Sequence, residues 1–228
     1  MPRADIEAYD DEGDFAKRHL LNTHLLRLLG DVGGRRVLDA GCGEGYFSRI
    51  LARNGALVVG VEPGRALIDR AAEVETKQRQ GITYVEADLC HLPDLGGPFD
   101  AVVCSMVLPA IPDWRPAMRS CVDALTPGGV LVFTANHPCF EQLWTTWREH
   151  GAYRIDRYLE EYQIPLRHLS DFHRTIATYL NEVIGLGCRI REIVEPGLDP
   201  TVAAESGVQG IESYVHLPNF LIVAAERS

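Results

Sequence analysis

Nowhere do the 228 residues offer the roughly 18 uninterrupted apolar residues that a membrane span needs. Insertion into a bilayer is not expected. No CxxC pair occurs among the cysteines at 42, 90, 104, 121, 139 and 188. Scattered and mostly inside apolar runs, they read as reduced thiols that pack as small hydrophobes. The histidines show no metal-ligand spacing, HExxH or Cys/His cluster, so no metal is expected. The opening stretch MPRADIEAYDDEGDF lacks the basic start and apolar run of a secretory signal, and it is too acidic for a transit peptide, which leaves a cytoplasmic protein as the expectation. Positive charge is also short. With 22 Lys and Arg against 32 Asp and Glu, the formal net charge is −10. Phosphate backbones therefore find no general attraction, and no nucleic-acid partner is expected. The basic residues of TWREHGAYRIDRY and HRTIATYLNEVIGLGCRIR are interleaved with acids and read as solvated faces.

What is present fits one α/β domain over 1–228, with 46% apolar and 24% charged residues. Phe15, Leu20, Leu21, Leu25, Leu28 and Leu29 recur at helical spacing, which predicts an amphipathic helix covering a sheet edge or a ligand. Short β-rich runs then alternate with helical patterns: RRVLDA, ALVVGVE, ITYVEAD, FDAVVCSM and GGVLVFTAN are the strands, and CRIREIVEP and NFLIVAAER follow near the end. This rhythm predicts a doubly wound, mostly parallel, seven-stranded sheet with helices on both faces. From 138 to 170 the rhythm breaks into a stretch rich in aromatics, including Trp144, Trp147, Tyr153, Tyr158 and Tyr162, and predicts a cap or lid inserted after the fifth strand. No internal repeat or low-complexity segment is present.

VLDAGCGEGYFSRILA places Gly41, Gly43 and Gly45 between a buried strand and a helix. Glycine lets a backbone turn sharply and lie against a ligand with no Cβ in the way. Tyr46 stands where a dinucleotide fingerprint needs its third glycine, which favours a phosphate-free ligand over a pyrophosphate. About twenty residues on, Glu62 ends the second strand in VVGVEPG, the position from which a carboxylate accepts from ribose hydroxyls. Asp88 follows the third strand in VEADLCHLP, again at a carboxyl edge.

Glycine loop, both acids and the ALTPGGVLVFTANHP turn and strand, in this order, resemble the class I S-adenosylmethionine-dependent methyltransferases of the small ubiquinone- and menaquinone-biosynthesis-like type. The likeness covers 14 to 136 and, more loosely, the last strands. It implies a Rossmann-like methyltransferase fold and S-adenosyl-L-methionine as cofactor. By the same resemblance Asp39 and the backbone of Gly41, Gly43 and Gly45 hold the methionine end, Glu62 takes both ribose hydroxyls, Asp88 accepts from the adenine amino group, Leu89 meets the adenine ring through its backbone, and Ser105 lies near the sulfonium. The acceptor is expected to be a small molecule, with oxygen, nitrogen or carbon left open.

Methyl transfer needs a base only when the nucleophile starts protonated, as a phenol does. His137, at the end of the fifth strand, is the first candidate, with the capping of a turn before Pro138 as its alternative. His173, beside Arg174 in DFHRT, is the second, and a hydrogen-bonding role at a helix start is the alternative there. The cap aromatics suit either an apolar acceptor pocket or a private core; if they fail as the acceptor's wall, Tyr9, Phe15 and His19 are the next surface. The rival functions are a nucleic-acid methyltransferase, which the charge and the missing NPPY-like signature disfavour, a nucleotide-dependent oxidoreductase, and a non-catalytic binder of the nucleoside cofactor. The oligomeric state is not legible.

Overall fold

The computed structural model describes residues 11–166 and 170–228. Tyr9 and residues 167–169 of the expected cap lie outside them.

The chain winds β1 (Arg36–Ala40), α2 (Tyr46–Arg53), β2 (Leu57–Glu62), α3 (Arg65–Gln78), β3 (Thr83–Glu86), β4 (Phe99–Ser105), α4 (Arg115–Asp123) and β5 (Leu125–Asn136), after a first helix α1 (Asn22–Leu29). The C-terminal third adds α5 (Leu143–His150), β6 (Tyr162–Pro165), β7 (Ser170–His173), α6 (Ile176–Gly185), β8 (Cys188–Val194), α7 (Pro200–Ser206), α8 (Ser213–His216) and β9 (Phe220–Arg227). The main sheet has seven strands in the order β3-β2-β1-β4-β5-β9-β8. The strands β1 to β5 pair in parallel, and β9 runs antiparallel between β5 and β8. The mostly parallel, doubly wound sheet is thus as expected.

Side-chain alternation at period two sorts the core onto two faces. Leu38, Val102, Cys104, Leu131 and Phe133 pack beneath Trp114, Met118, Tyr179 and Val183 of the helical layer on one side. Val37, Ala101, Val103, Val130 and Val132 face Leu25, Leu29, Phe47 and Leu51 on the other. Because both faces are covered, the central strands read in sequence as unbroken apolar runs.

Two elements differ from the sequence expectation. The first helix opens with a π-helical turn, Lys17–Leu21, before α1, and of the two places expected for it the sheet edge is not the one taken: α1 packs over the interior strands β5 and β9, while Lys17 of the π turn lines the cavity described below. Its buried Leu20, Leu21, Leu25 and Leu29 need the wide apolar face that the sheet's middle provides. The fifth strand begins at Leu125, three residues before GGVLVFTAN; its register against β4 slips between Phe99 and Ala101, so TPGG forms a bulge within the strand.

The interruption after β5 consists of α5 followed by the antiparallel hairpin β6-β7. Strand order reverses between β1 and β4, and at the carboxyl ends of such a pair an open sheet leaves a crevice.

Candidate cofactor site

A cavity of about 630 Å³ fills that crevice, within the range of small-molecule sites. Gly41, Gly43, Glu62, Asp88, Leu89 and Ser105 line it. The carboxyl ends of four strands, β1 to β4, therefore deliver these six expected residues to one place.

The glycines do different jobs. All three have positive φ, at 78°, 59° and 85°. A Cβ on Gly43 meets nothing within 4 Å, because this glycine faces the open cavity. A Cβ on Gly41 would stand 2.3 Å from Val107 Cγ2, so here glycine permits a wall to close. Gly45 is not on the cavity wall; its missing side chain makes room for Tyr84, whose hydroxyl would lie 2.3 Å from a Cβ.

Glu62 ties the crevice together. Its Oε2 accepts from Gly43 N at 3.1 Å and its Oε1 from Gly64 N at 2.9 Å. Each carboxylate oxygen keeps a further lone pair for a ligand hydroxyl. Burial raises its pKa, and the two backbone donors oppose that rise. Asp88 is exposed and caps the short 3₁₀ turn Leu89–His91, with Oδ1 accepting from Cys90 N at 2.9 Å. That backbone hydrogen bond is the main reason its pKa is lowered. Asp88 both caps this turn and lines the cavity, and its Oδ2 lies 3.6 Å from His91 Nδ1.

Asp39 stands behind the loop and off the cavity wall, 3% exposed, with Ser48 Oγ donating to its Oδ2 at 2.6 Å. Burial pushes its pKa up to about 7. Its contact with Ser48 anchors the start of α2 to β1, which fixes the glycine loop from beneath.

The two histidines lie away from the cavity wall. His137 is buried; its Nδ1 accepts from Cys139 N at 3.2 Å, which leaves Nε2 to donate to Glu195 Oε1 at 2.6 Å. His173 is buried too. Its Nε2 donates to Tyr158 O at 2.9 Å, and its Nδ1 lies at hydrogen-bond distance, 2.9 Å, from Glu141 Oε2. Both rings therefore hold loops in the described state, and neither presents a free nitrogen to the cavity. Trp144 likewise points away, donating from Nε1 to Gln209 O at 3.0 Å. None of the described residues between 138 and 166 lines the cavity. The cap aromatics Phe140, Tyr153, Tyr158 and Tyr162 instead cluster with His137 and His173.

Sequence reasoning missed Lys17, Tyr46, Met106 and Val107 on the wall. Lys17 Nζ sits 5.0 Å from the centroid of the Tyr46 ring and 3.8 Å from Asp14 Oδ2. Met106 follows the expected Ser105 and adopts φ 60°, a conformation that costs a non-glycine residue about 1–3 kcal/mol. Thr134 holds it there, through Oγ1 at 2.9 Å from Met106 N, while Ser105 Oγ lies 3.2 Å from the same hydroxyl. Chain position signalled Met106 and Val107, since both extend a strand end already marked; Lys17 carried no such signal.

Among the described residues no group of three or more His, Cys, Asp or Glu side chains is placed to hold a metal, and no helix is long and apolar enough to cross a membrane.

A glycine loop open at Gly43, an acid at the end of β2 and another after β3 thus meet in one crevice at the carboxyl edge of the sheet. Residues 38–133 match the family described as "Methyltransferase domain". An S-adenosylmethionine-dependent methyltransferase from Mesorhizobium loti is 31% identical and superposes with a TM-score of 0.76, over 90% of this chain and 96% of that one. On that likeness the chain belongs to the S-adenosylmethionine-dependent methyltransferases, whose cofactor is S-adenosylmethionine. A putative enzyme of the same description from Listeria monocytogenes, 22% identical with a TM-score of 0.74 over 90% of this chain and 96% of that one, shares the fold. Among curated proteins, a ubiquinone biosynthesis O-methyltransferase from Coxiella burnetii is 33% identical over 129 residues, 55% of each chain. The chain thus matches about half the length of the curated relatives.

Proposed function

We propose that this protein moves a methyl group from S-adenosylmethionine to a hydroxyl oxygen of a small, ring-bearing acceptor. The observation that carries the cofactor half is Gly43, held at positive φ with empty space where a side chain would be, between Glu62 and the cavity. The acceptor half rests on the O-methyltransferase relatives over the shared half of the chain.

When bound, the cofactor supplies an electrophilic methyl on a sulfonium. The chain's residues hold, orient and dry it. In this reading Glu62 would accept from the ribose hydroxyls, Asp88 and Leu89 would hold the adenine, and the backbone of Gly41 and Gly43 with Ser105 would hold the methionine end, all six residues lining the cavity. Direct displacement requires nucleophile and methyl in line at about 3 Å in a site closed to water. Lys17, Tyr46 and Met106 line the same cavity, and in this proposal the acceptor approaches beside them. The cap from 138 to 170 bears on that wall indirectly in our reading.

The charge of −10 favours a small acceptor over a nucleic acid. The test is a panel of phenols, catechols, amines and stabilised carbanion acceptors with isotopically labelled methyl donor, preceded by a thermal-shift measurement. S-adenosylhomocysteine should raise the melting temperature where NAD does not. Label appearing only on nitrogen or carbon would overturn the oxygen assignment; ligand binding with no turnover on any acceptor would leave a nucleoside-cofactor binder.

A further inference from the structure

Arg174 has no part in the cavity, yet it is 2% exposed, and among the described residues no carboxylate lies within ion-pair distance of it. A buried cation with no carboxylate in direct contact is costly unless acceptors surround it, and Asp171 acts on this one only at longer range. Its acceptors are three backbone carbonyls of one turn: Nη1 donates to Leu108 O at 3.0 Å, and Nη2 to Ile111 O at 2.7 Å and Pro112 O at 2.9 Å. The guanidinium is sandwiched between Trp114 and Phe172, 5.5 and 5.3 Å from their ring centroids. Leu108 opens the 3₁₀ turn Leu108–Ala110, and Ile111 and Pro112 follow it directly, so the one guanidinium spans the turn from its first carbonyl to the residues beyond it.

That turn is the cavity's wall. Val107 and Ile111 line the cavity, and Val107 packs on the bare Cα of Gly41. Two residues before the turn stands Met106, whose left-handed backbone only a well-tied segment can maintain. Thr134 ties the turn's start and Arg174 ties its end. One residue earlier, the His173 side chain goes into the cap, bonded to Glu141 and Tyr158 and stacked on Tyr162 with ring centroids 4.7 Å apart. Adjacent residues at the end of β7 therefore grip opposite partners, His173 the cap and Arg174 the cofactor wall.

The geometry points to Arg174 as a positioning residue that clamps the strained turn 106–112 and makes the shape of the cofactor wall depend on how the cap is seated. This rests on the cavity being the S-adenosylmethionine site. It also gives the His173–Arg174 pair a role in the reaction that needs no contact with substrate.

The test is a double-mutant cycle read by calorimetric titration with S-adenosylhomocysteine. Arg174→Lys keeps the charge but loses the planar fork, and should raise Kd about tenfold. Met106→Asn, which tolerates the left-handed conformation, should shrink the effect of Arg174→Lys to under about threefold in its background. A merely structural arginine would lower the melting temperature in both backgrounds and leave both Kd ratios near one, which overturns the inference. So would an equal Kd penalty with and without Met106→Asn. Should Arg174→Lys not accumulate folded, the wild-type protein decides by hydrogen exchange. Saturating S-adenosylhomocysteine should slow exchange in 106–112 and in 170–175 together, and protection confined to 106–112 overturns the coupling. Absence of any binding to wild type would instead refute the proposed function.

Discussion

The carboxyl ends of β1 to β4 and the cap after β5 are both dense in polar groups, but they use them in opposite ways. At the strand ends, Glu62, Asp88 and Gly43 keep lone pairs or empty space directed at a cavity. In the cap, His173, Glu141, Tyr158 and Tyr162 spend their hydrogen bonds and rings on one another. An unspent polar group in a cleft is the mark of a ligand site, and a satisfied one the mark of a scaffold. The difference teaches that residue type alone does not separate the two, since the cap holds the better-looking catalytic side chains.

The comparison breaks most sharply at Gly43. Gly43→Val places a branched side chain in the space a ligand needs, at a φ that such residues avoid. Binding of S-adenosylhomocysteine should fall by at least about a hundredfold while circular dichroism stays native, since no protein atom is displaced. Retained binding would remove the glycine loop from the site.

Next in size is Glu62→Ala. It strips two backbone donors, Gly43 N and Gly64 N, of their acceptor and leaves ribose hydroxyls unpaired. Calorimetry should show about 1–3 kcal/mol less affinity. An unchanged affinity would mean that Glu62 serves the loop alone.

Asp39 sharpens the comparison from the side of stability. Its folded pKa of about 7 lies above the ordinary value near 3.8. Between those limits the folded state holds a proton that the unfolded state has released, so this group makes stability fall as pH rises from about 4 to about 7. Asp39→Asn should flatten the melting temperature over that window relative to wild type, and parallel profiles would show that the buried carboxyl does not titrate there.

The smallest effect on chemistry is expected in the cap. His137→Asn removes a ring whose nitrogens serve Cys139 N and Glu195. It should lower the melting temperature and leave the pH profile of kcat unchanged, whereas a general base would cost about 10²–10⁴ in rate. A loss of that size would return His137 to the reaction.

The amino-acid sequence by itself determined the first five strands along the chain, the glycine turn and the two carboxylates at strand ends, while the order of the strands in the sheet came with the tertiary structure. The sequence signals are local: period-two apolar runs, glycine where a Cβ is forbidden, an acid at a strand's end. Only tertiary structure decided that Asp39 and Gly45 sit behind the wall while Lys17 and Met106 sit on it, because the facing of a loop residue depends on what packs beneath it. Tertiary structure also separated His173 from the cavity and gave Arg174 three carbonyls more than sixty residues away along the chain. No short-range pattern encodes such partners. The terminal nitrogens of this buried guanidinium are met by backbone oxygens, which every residue carries, so the sequence holds no mark of which ones they will meet.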